Sequence, residues 1–159
     1  MPQLHIILHE PEIPDNAGNI GRTCVALGAK LWLVRPLGFQ LDARQLRRAG
    51  LDYWQHLDWE AVDHWDVLLG QLFDKRLWFF TKHASRCYAD ATFAAGDGLV
   101  FGSESRGLPL SLIQAHSERC LRIPMAPEAR SLNLAVSVGV GAYEAFRQIA
   151  HRKTQVGGA

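Results

Sequence analysis

"RSLNLAVSVGVGAYEAF", Arg130 to Phe146, is the stretch on which the fold turns. Its apolar content is that of a buried helix, yet it opens on Arg130, Ser131 and Asn133 and places Gly139 and Gly141 in its middle. Polar residues at a helix start satisfy the unpaired N–H groups there, and Ser131 is the expected cap. Each interior glycine costs about 1 kcal/mol relative to alanine, so both need a packing reason. With Ala135 and Ala142 they thin one side of the helix and let another backbone approach, within the fold or across a dimer.

Outward from this helix, strand-like and helical stretches alternate. Leu4 to Glu10, "KLWLVRP", Arg76 to Lys82, Asp97 to Glu104 and Cys120 to Met125 read as strands. Ile20, Cys24 and Leu27 recur at helical spacing after Asn16, with Gly28 as the stop. "DARQLRRAG" reads as a short helix capped by Asp42 and ended by Gly50. Trp59 to Leu72 reads as helix, "PLSLIQAH" as another, and the last helix is expected from about Ser131 to Arg152. This alternation predicts one α/β domain over residues 1–152 around a mostly parallel sheet, with a flexible tail over 153–159.

Composition narrows the function. The chain has 159 residues, 48% of them hydrophobic, and a net charge of +1. No apolar run approaches the roughly 18 residues of a membrane span, and the N-terminus lacks the basic region of a signal peptide. Cys24, Cys87 and Cys120 are far apart and form no CxxC, which fits a reducing cytoplasm. Thirteen arginines stand against four lysines. Genomic base composition explains such a ratio, and so does planar, bidentate recognition of phosphate.

Ligands of a parallel α/β sheet collect at the carboxyl ends of the strands. Three loops expected there, "EPEIPDNAGNIGR" (10–22), "FGSESRGLP" (101–109) and "IPMAPEARSLN" (123–133), are dense in Gly, Asn, Ser, Arg and Pro. Familiar signatures are absent. There is no P-loop, and the GxG of "GVGAYE" lies inside a helix. "GSESRG" has Ser103 where a nucleophile elbow needs glycine. His5 and His9 share a strand face, which reads as packing or surface, and no metal site is expected.

Taken together, "PEIPDNAGNIGR", "PLGFQLDARQLRRAGLDYW", "FGSESRGLP" and "IPMAPEARSLNLAVSVGVGAYEA" resemble the small SPOUT-superfamily RNA 2′-O-methyltransferases, and among them the tRNA (cytidine/uridine-34) enzymes. The resemblance implies an α/β knot with helices on both sheet faces and a C-terminal trefoil, a crossing that general topology rules make rare. It implies S-adenosylmethionine as methyl donor, the ribose of wobble nucleotide 34 as acceptor with a leucine tRNA as the expected substrate, a homodimer, and no metal or membrane. It places Arg22, Ser131 and Asn133 in catalysis. Phe80, Gly102, Glu104, Ile123 and Ser131 fall at the cofactor, and Arg22 and Arg106 at the RNA. Apart from the resemblance, Arg44, Arg47 and Arg48 fall at i, i+3 and i+4 and share a helical face suited to RNA phosphates, and Tyr143 is an aromatic able to stack on a base.

Each residue also has a plainer reading. Ser131 caps a helix, Gly102 makes a turn, and Glu104 and Arg106 pair with each other. Arg22 and the Arg44, Arg47, Arg48 face are solvated, and Tyr143 is packed. The alternative functions are methylation of another tRNA position or of ribosomal RNA, a non-catalytic RNA-binding module, and a flavodoxin-like nucleotide-binding protein.

Overall fold

The computed structural model describes residues 1–42, 44 and 53–156. Six parallel strands form one sheet: β1 (His5–His9), β2 (Lys30–Val34), β3 (Trp59–Val62), β4 (Leu77–Phe80), β5 (Gly98–Phe101) and β6 (Cys120–Leu121). Their order is β3-β2-β1-β5-β4-β6. The chain therefore starts mid-sheet, builds outward to β3, and crosses to β4 on the far side of β5.

Among the described residues, four helices cover the two faces: α1 (Pro14–Leu27), α2 (Trp65–Gln71), α3 (Leu110–Ala115) and α4 (Leu134–Val156). α1 and α4 bury Ile20, Cys24, Val138, Ala142 and Ile149 against Ile6, Leu8, Leu33 and Phe101. The other face packs Leu68 and Leu72 onto Ile7, Val34, Phe79 and Val100. Successive strand residues thus serve opposite cores, which is why β1, β2, β4 and β5 read as nearly continuous apolar runs. Burial pushes the Cys24 thiol up to about 12, so it behaves as a core hydrophobe. No helix among the described residues is long and apolar enough to cross a membrane.

Four expectations need correction. Trp59 to Leu72 is not one helix: Trp59–Val62 is edge strand β3, and only Trp65–Gln71 is helical. β2 decides this by pairing Leu31 to Trp59 through Val34 to Val62, a contact no local pattern announces. β6 ends at Leu121 rather than Met125. Pro124 and Pro127 cannot donate to a ladder, and the chain swings away toward the site. α4 starts at Leu134 instead of Ser131, and it continues to Val156, so residues 153–156 of the expected tail are helical.

Gly28 ends α1 with φ 63°, as expected. Asp42 caps as expected, its Oδ1 accepting from the Arg44 N–H at 2.9 Å. The rest of that short helix lies outside the described residues, with Arg47 and Arg48.

Gly141 and Gly139 part company. A Cβ on Gly141 would meet the Phe80 ring at 2.8 Å, so this glycine lets α4 lie on the stacked Phe80 and Phe101 rings. A Cβ on Gly139 would meet nothing within 4 Å. No close approach within the chain accounts for it.

Candidate active site

The carboxyl ends of β4 and β5 open into a cavity of about 390 Å³. Phe80, Gly102, Glu104, Arg106, Ile123 and Ser131 all line it. All five residues expected at the cofactor therefore meet around one space, although they come from segments up to 51 positions apart. The volume falls in the range of small-molecule sites, and the lining combines apolar walls with hydroxyl groups. Phe80, Ile123 and Leu134 supply apolar surface suited to a flat base, while Ser131 and Ser137 supply hydroxyls. The residues present fit an adenosyl group with a polar tail.

Gly102 is required for close packing of its own loop, not for a left-handed backbone. Its φ is not among the positive ones of the chain; Gly107 carries that conformation, with φ 66°. A Cβ on Gly102 would run into the backbone of Gly107 and Leu108. The loop doubles back on itself, pinned where Gly107 N–H donates to the Ser103 carbonyl at 2.9 Å.

Glu104 and Arg106 do not pair with each other. The Arg106 guanidinium lies 3.5 Å from the Glu10 carboxylate. Glu10 has φ 53°, a left-handed conformation that a non-glycine residue adopts at a cost and that concentrates near functional sites. Glu104 instead reaches the start of α1. Its carboxylate accepts from Glu12 N–H at 2.9 Å, Ile13 N–H at 2.6 Å and Asn16 Nδ2 at 3.2 Å. Ile13 occupies the N-cap of α1 and has no polar side chain to offer, so a carboxylate from 91 residues away satisfies its N–H. An anion is favoured there by the helix dipole.

The clasp is reciprocal. Glu12 accepts from the Ser105 hydroxyl at 2.6 Å, and this bond first of all holds the Glu12 carboxyl below its usual range. It continues into the third loop, where Asn133 Nδ2 donates to Asn16 Oδ1 at 3.0 Å. Asn133, not Ser131, caps α4: its Oδ1 accepts from Val136 N–H at 3.2 Å. Ser131 stands three positions before the first residue of α4 and stays exposed on the cavity wall, its hydroxyl uncommitted to the helix. Asn16 and Glu12 went unnoticed in the sequence. The signal was the isoleucine before Pro14, a helix start with no cap of its own.

Arg22, Arg44 and Tyr143 are not brought to this cavity. Arg22 is exposed on α1 with its guanidinium 4.9 Å from the centre of the Tyr53 ring. Arg44 is exposed beside Asp42. Tyr143 is 51% exposed on the outer side of α4, where its ring meets Phe146 edge-on.

Residues 3–143 match the SpoU rRNA Methylase family. A tRNA (cytidine(34)-2'-O)-methyltransferase of Saccharophagus degradans is 45% identical over 91% of this chain and 95% of its own length. The enzyme of that name from Aeromonas hydrophila is 42% identical over 93% and 96%. A structure solved for insight into 2-OH methylation of C/U34 on tRNA is 50% identical, covers 91% of this chain and 95% of that one, and superposes with a TM-score of 0.85. An AdoMet-bound rRNA methyltransferase from Sinorhizobium meliloti is 26% identical, with a TM-score of 0.81; the match spans 91% of this chain but only 56% of that one. A match over most of the length, together with relatives this similar end to end, means that the chain belongs to the SpoU rRNA methylase family.

Proposed function

We propose that this protein transfers a methyl group from S-adenosylmethionine to the ribose 2′-oxygen of tRNA wobble nucleotide 34, at cytidine or uridine. The observation that carries the reading is the end-to-end similarity to tRNA (cytidine(34)-2'-O)-methyltransferases, at 42–45% identity. The cavity and its clasped loops favour an enzyme over a plain RNA-binding module. The trefoil knot implied by the fold class would lie where the chain returns from β6 through residues 122–133.

S-adenosylmethionine, when bound, supplies an electrophilic methyl group on a sulfonium sulfur. Phe80, Ile123 and the backbone about Gly102 would hold its adenosyl part, and the Ser131 hydroxyl would face it. Asn133 has one amide N–H and one oxygen lone pair beyond the two bonds it makes to Asn16 and Val136. These can orient the ribose hydroxyl, and the clasp through Asn16 and Glu104 keeps the amide from turning. As the 2′-oxygen attacks, its proton must leave. A guanidinium offers hydrogen-bond donors and no acceptor, so Arg22 does not serve as the base. From outside the cavity its role is to hold an RNA phosphate and so bring the acceptor ribose to the methyl group; a neighbouring phosphate oxygen is one group able to receive the proton.

A homodimer accords with the surface. Leu132 just before α4, with Val136 and Tyr143 on it, is exposed at 36%, 53% and 51%, and the open space at Gly139 lies between the latter two in sequence. Those exposed residues suit a second copy of the helix, and Tyr143 fits this role better than base stacking. Arg22 and Arg106, with Arg44, Arg47 and Arg48, remain the proposed phosphate contacts, and the cytoplasm the proposed compartment.

The test uses labelled S-adenosylmethionine and tRNA from a strain lacking the protein. One 2′-O-methylated nucleotide at position 34 is expected; label only in ribosomal RNA or at another tRNA position would sink the reading. Arg22→Ala should abolish transfer while calorimetry shows cofactor affinity unchanged within a few-fold. Loss of both would make Arg22 a cofactor or folding residue. Sedimentation should report twice the chain mass.

A further inference from the structure

A second, more open concavity of about 430 Å³ adjoins the first. The two share Lys82, Met125 and Arg130, and Arg122 joins the rim of the second. Lys82, Arg122 and Arg130 are all exposed, and among the described residues none of the three makes an ion pair. Glu128, the acid of the same loop, is exposed and pairs with none of them. Three cations around one depression repel each other, so the arrangement is stabilised when an anion enters it.

The backbone roots of this group are rigid. Arg122 N–H donates to the Arg86 carbonyl at 2.8 Å, and the Arg122 carbonyl accepts from Tyr88 N–H at 2.9 Å. Thr81 N–H donates to the Leu121 carbonyl at 2.9 Å, which sets Lys82 beside Arg122 just beyond the paired ends of β4 and β6. Arg130 stands immediately before Ser131, on the wall of the first cavity. The other rim residues, Met125, Ala126, Pro127 and Ala129, carry no charge.

We infer that Lys82, Arg122 and Arg130 form a seat for an RNA backbone phosphate of a nucleotide neighbouring the one methylated. The inference rests on the RNA methylation proposed above and adds a contact to it. The shared rim puts the seat beside the cofactor cavity, on the face at which the acceptor ribose must enter. Guanidinium and ammonium groups take phosphate oxygens by charge-assisted hydrogen bonds, which fix register without reading sequence. A carboxylate, such as that of the cofactor, has related chemistry, so the experiment separates the two.

The variants are Lys82→Ala and Arg122→Ala, singly and together, with Arg122→Lys as the conservative partner. Arg130 is left intact because it borders both cavities. Binding of an anticodon stem-loop RNA is followed between about 0.05 and 0.2 M salt, and S-adenosylmethionine affinity by calorimetry. Each lost cation should lower the slope of log affinity against log salt by about 0.7 to 0.9, with Arg122→Lys retaining most of it and cofactor affinity holding within about two-fold. Unchanged RNA affinity and slope in the double variant would overturn the seat while leaving wild-type methylation, and so the parent reading, intact. Cofactor affinity falling as far as RNA affinity would reassign the cations to the cofactor carboxylate and also overturn it. If the wild type neither bound nor methylated the RNA, both proposals would fall together.

Discussion

Asp97 and Glu104 stand at opposite ends of β5, and each gathers hydrogen bonds from distant parts of the chain. Asp97 is 4% exposed and accepts from Arg76 Nη2 at 2.7 Å, Arg76 Nε at 3.1 Å, Trp78 Nε1 at 3.0 Å and Ala94 N–H at 2.9 Å. Glu104 accepts two backbone N–H groups and one amide, and no cation touches it. At the amino end of the sheet a charge pair is closed within the fold. At the carboxyl end the carboxylate rests on a helix dipole, while Lys82, Arg122 and Arg130 nearby make no ion pair among the described residues. The amino end is built for stability; the carboxyl end keeps its positive charge available for ligands.

The sharpest way to break this contrast is Asp97→Ala. It strands the buried ends of Arg76 and the Trp78 and Ala94 N–H groups, and should cost about 3 kcal/mol, the low end for a broken buried pair because Arg76 is partly open to water. Urea unfolding measures the loss; activity per folded molecule should not change. Glu104→Gln should lose about 1–2 kcal/mol of stability, since the amide oxygen still accepts part of the network. Methyl transfer should fall disproportionately, because Asn16 and then Asn133 lose their anchor. Equal losses of stability with unchanged turnover in both variants would erase the functional difference between the two ends.

The smallest expected effect concerns β1, which carries a buried histidine at each end. Burial lowers the pKa of both His5 and His9; Lys75 and Lys30 add to the lowering at His5, and Arg106 adds to it at His9. His5 accepts the Trp32 Nε1–H on Nδ1 at 3.1 Å, which requires that nitrogen unprotonated. A depressed folded pKa means the unfolded chain binds protons first. The stability contribution is therefore complete above the ordinary value of 6.5 and is lost as pH falls through the depressed values. Unfolding free energy measured from pH 7.5 to 5 should decline, and His5→Gln should flatten part of the slope. A flat profile in the wild type would remove this account.

Much of the fold was legible because burial on both sheet faces leaves long apolar runs. β1, β2, β4 and β5 announce themselves that way, and Gly28 marks the end of α1 by its αL conformation. β3 was missed because Trp59, Glu60 and Ala61 are only half-buried at a sheet edge. Four residues there carry too little alternation to outweigh the helical neighbours that follow. In the site, two of the three expected loops, 101–109 and 123–133, line one cavity, and the first, 10–22, is tied to them by Glu104 and Asn133. Glu104 was picked out, but its partner was misjudged: a carboxylate beside an arginine suggests a local pair, whereas the unsatisfied N–H groups of α1 were the stronger claim.

The sequence by itself determined the α/β class, through local periodicity, and pointed to the family and its loops through the resemblance of their motifs. Only the tertiary structure decided what those residues do for each other. It showed that Gly102 makes room for its own loop, that Gly141 makes room for Phe80, and that Asn133 rather than Ser131 caps α4. It also joined Glu104 to α1 across 91 residues and set Lys82 beside Arg122. Hydrogen bonds and charges act over a few ångströms of space whatever their separation along the chain, so partners this far apart become visible only when the sheet has brought them together.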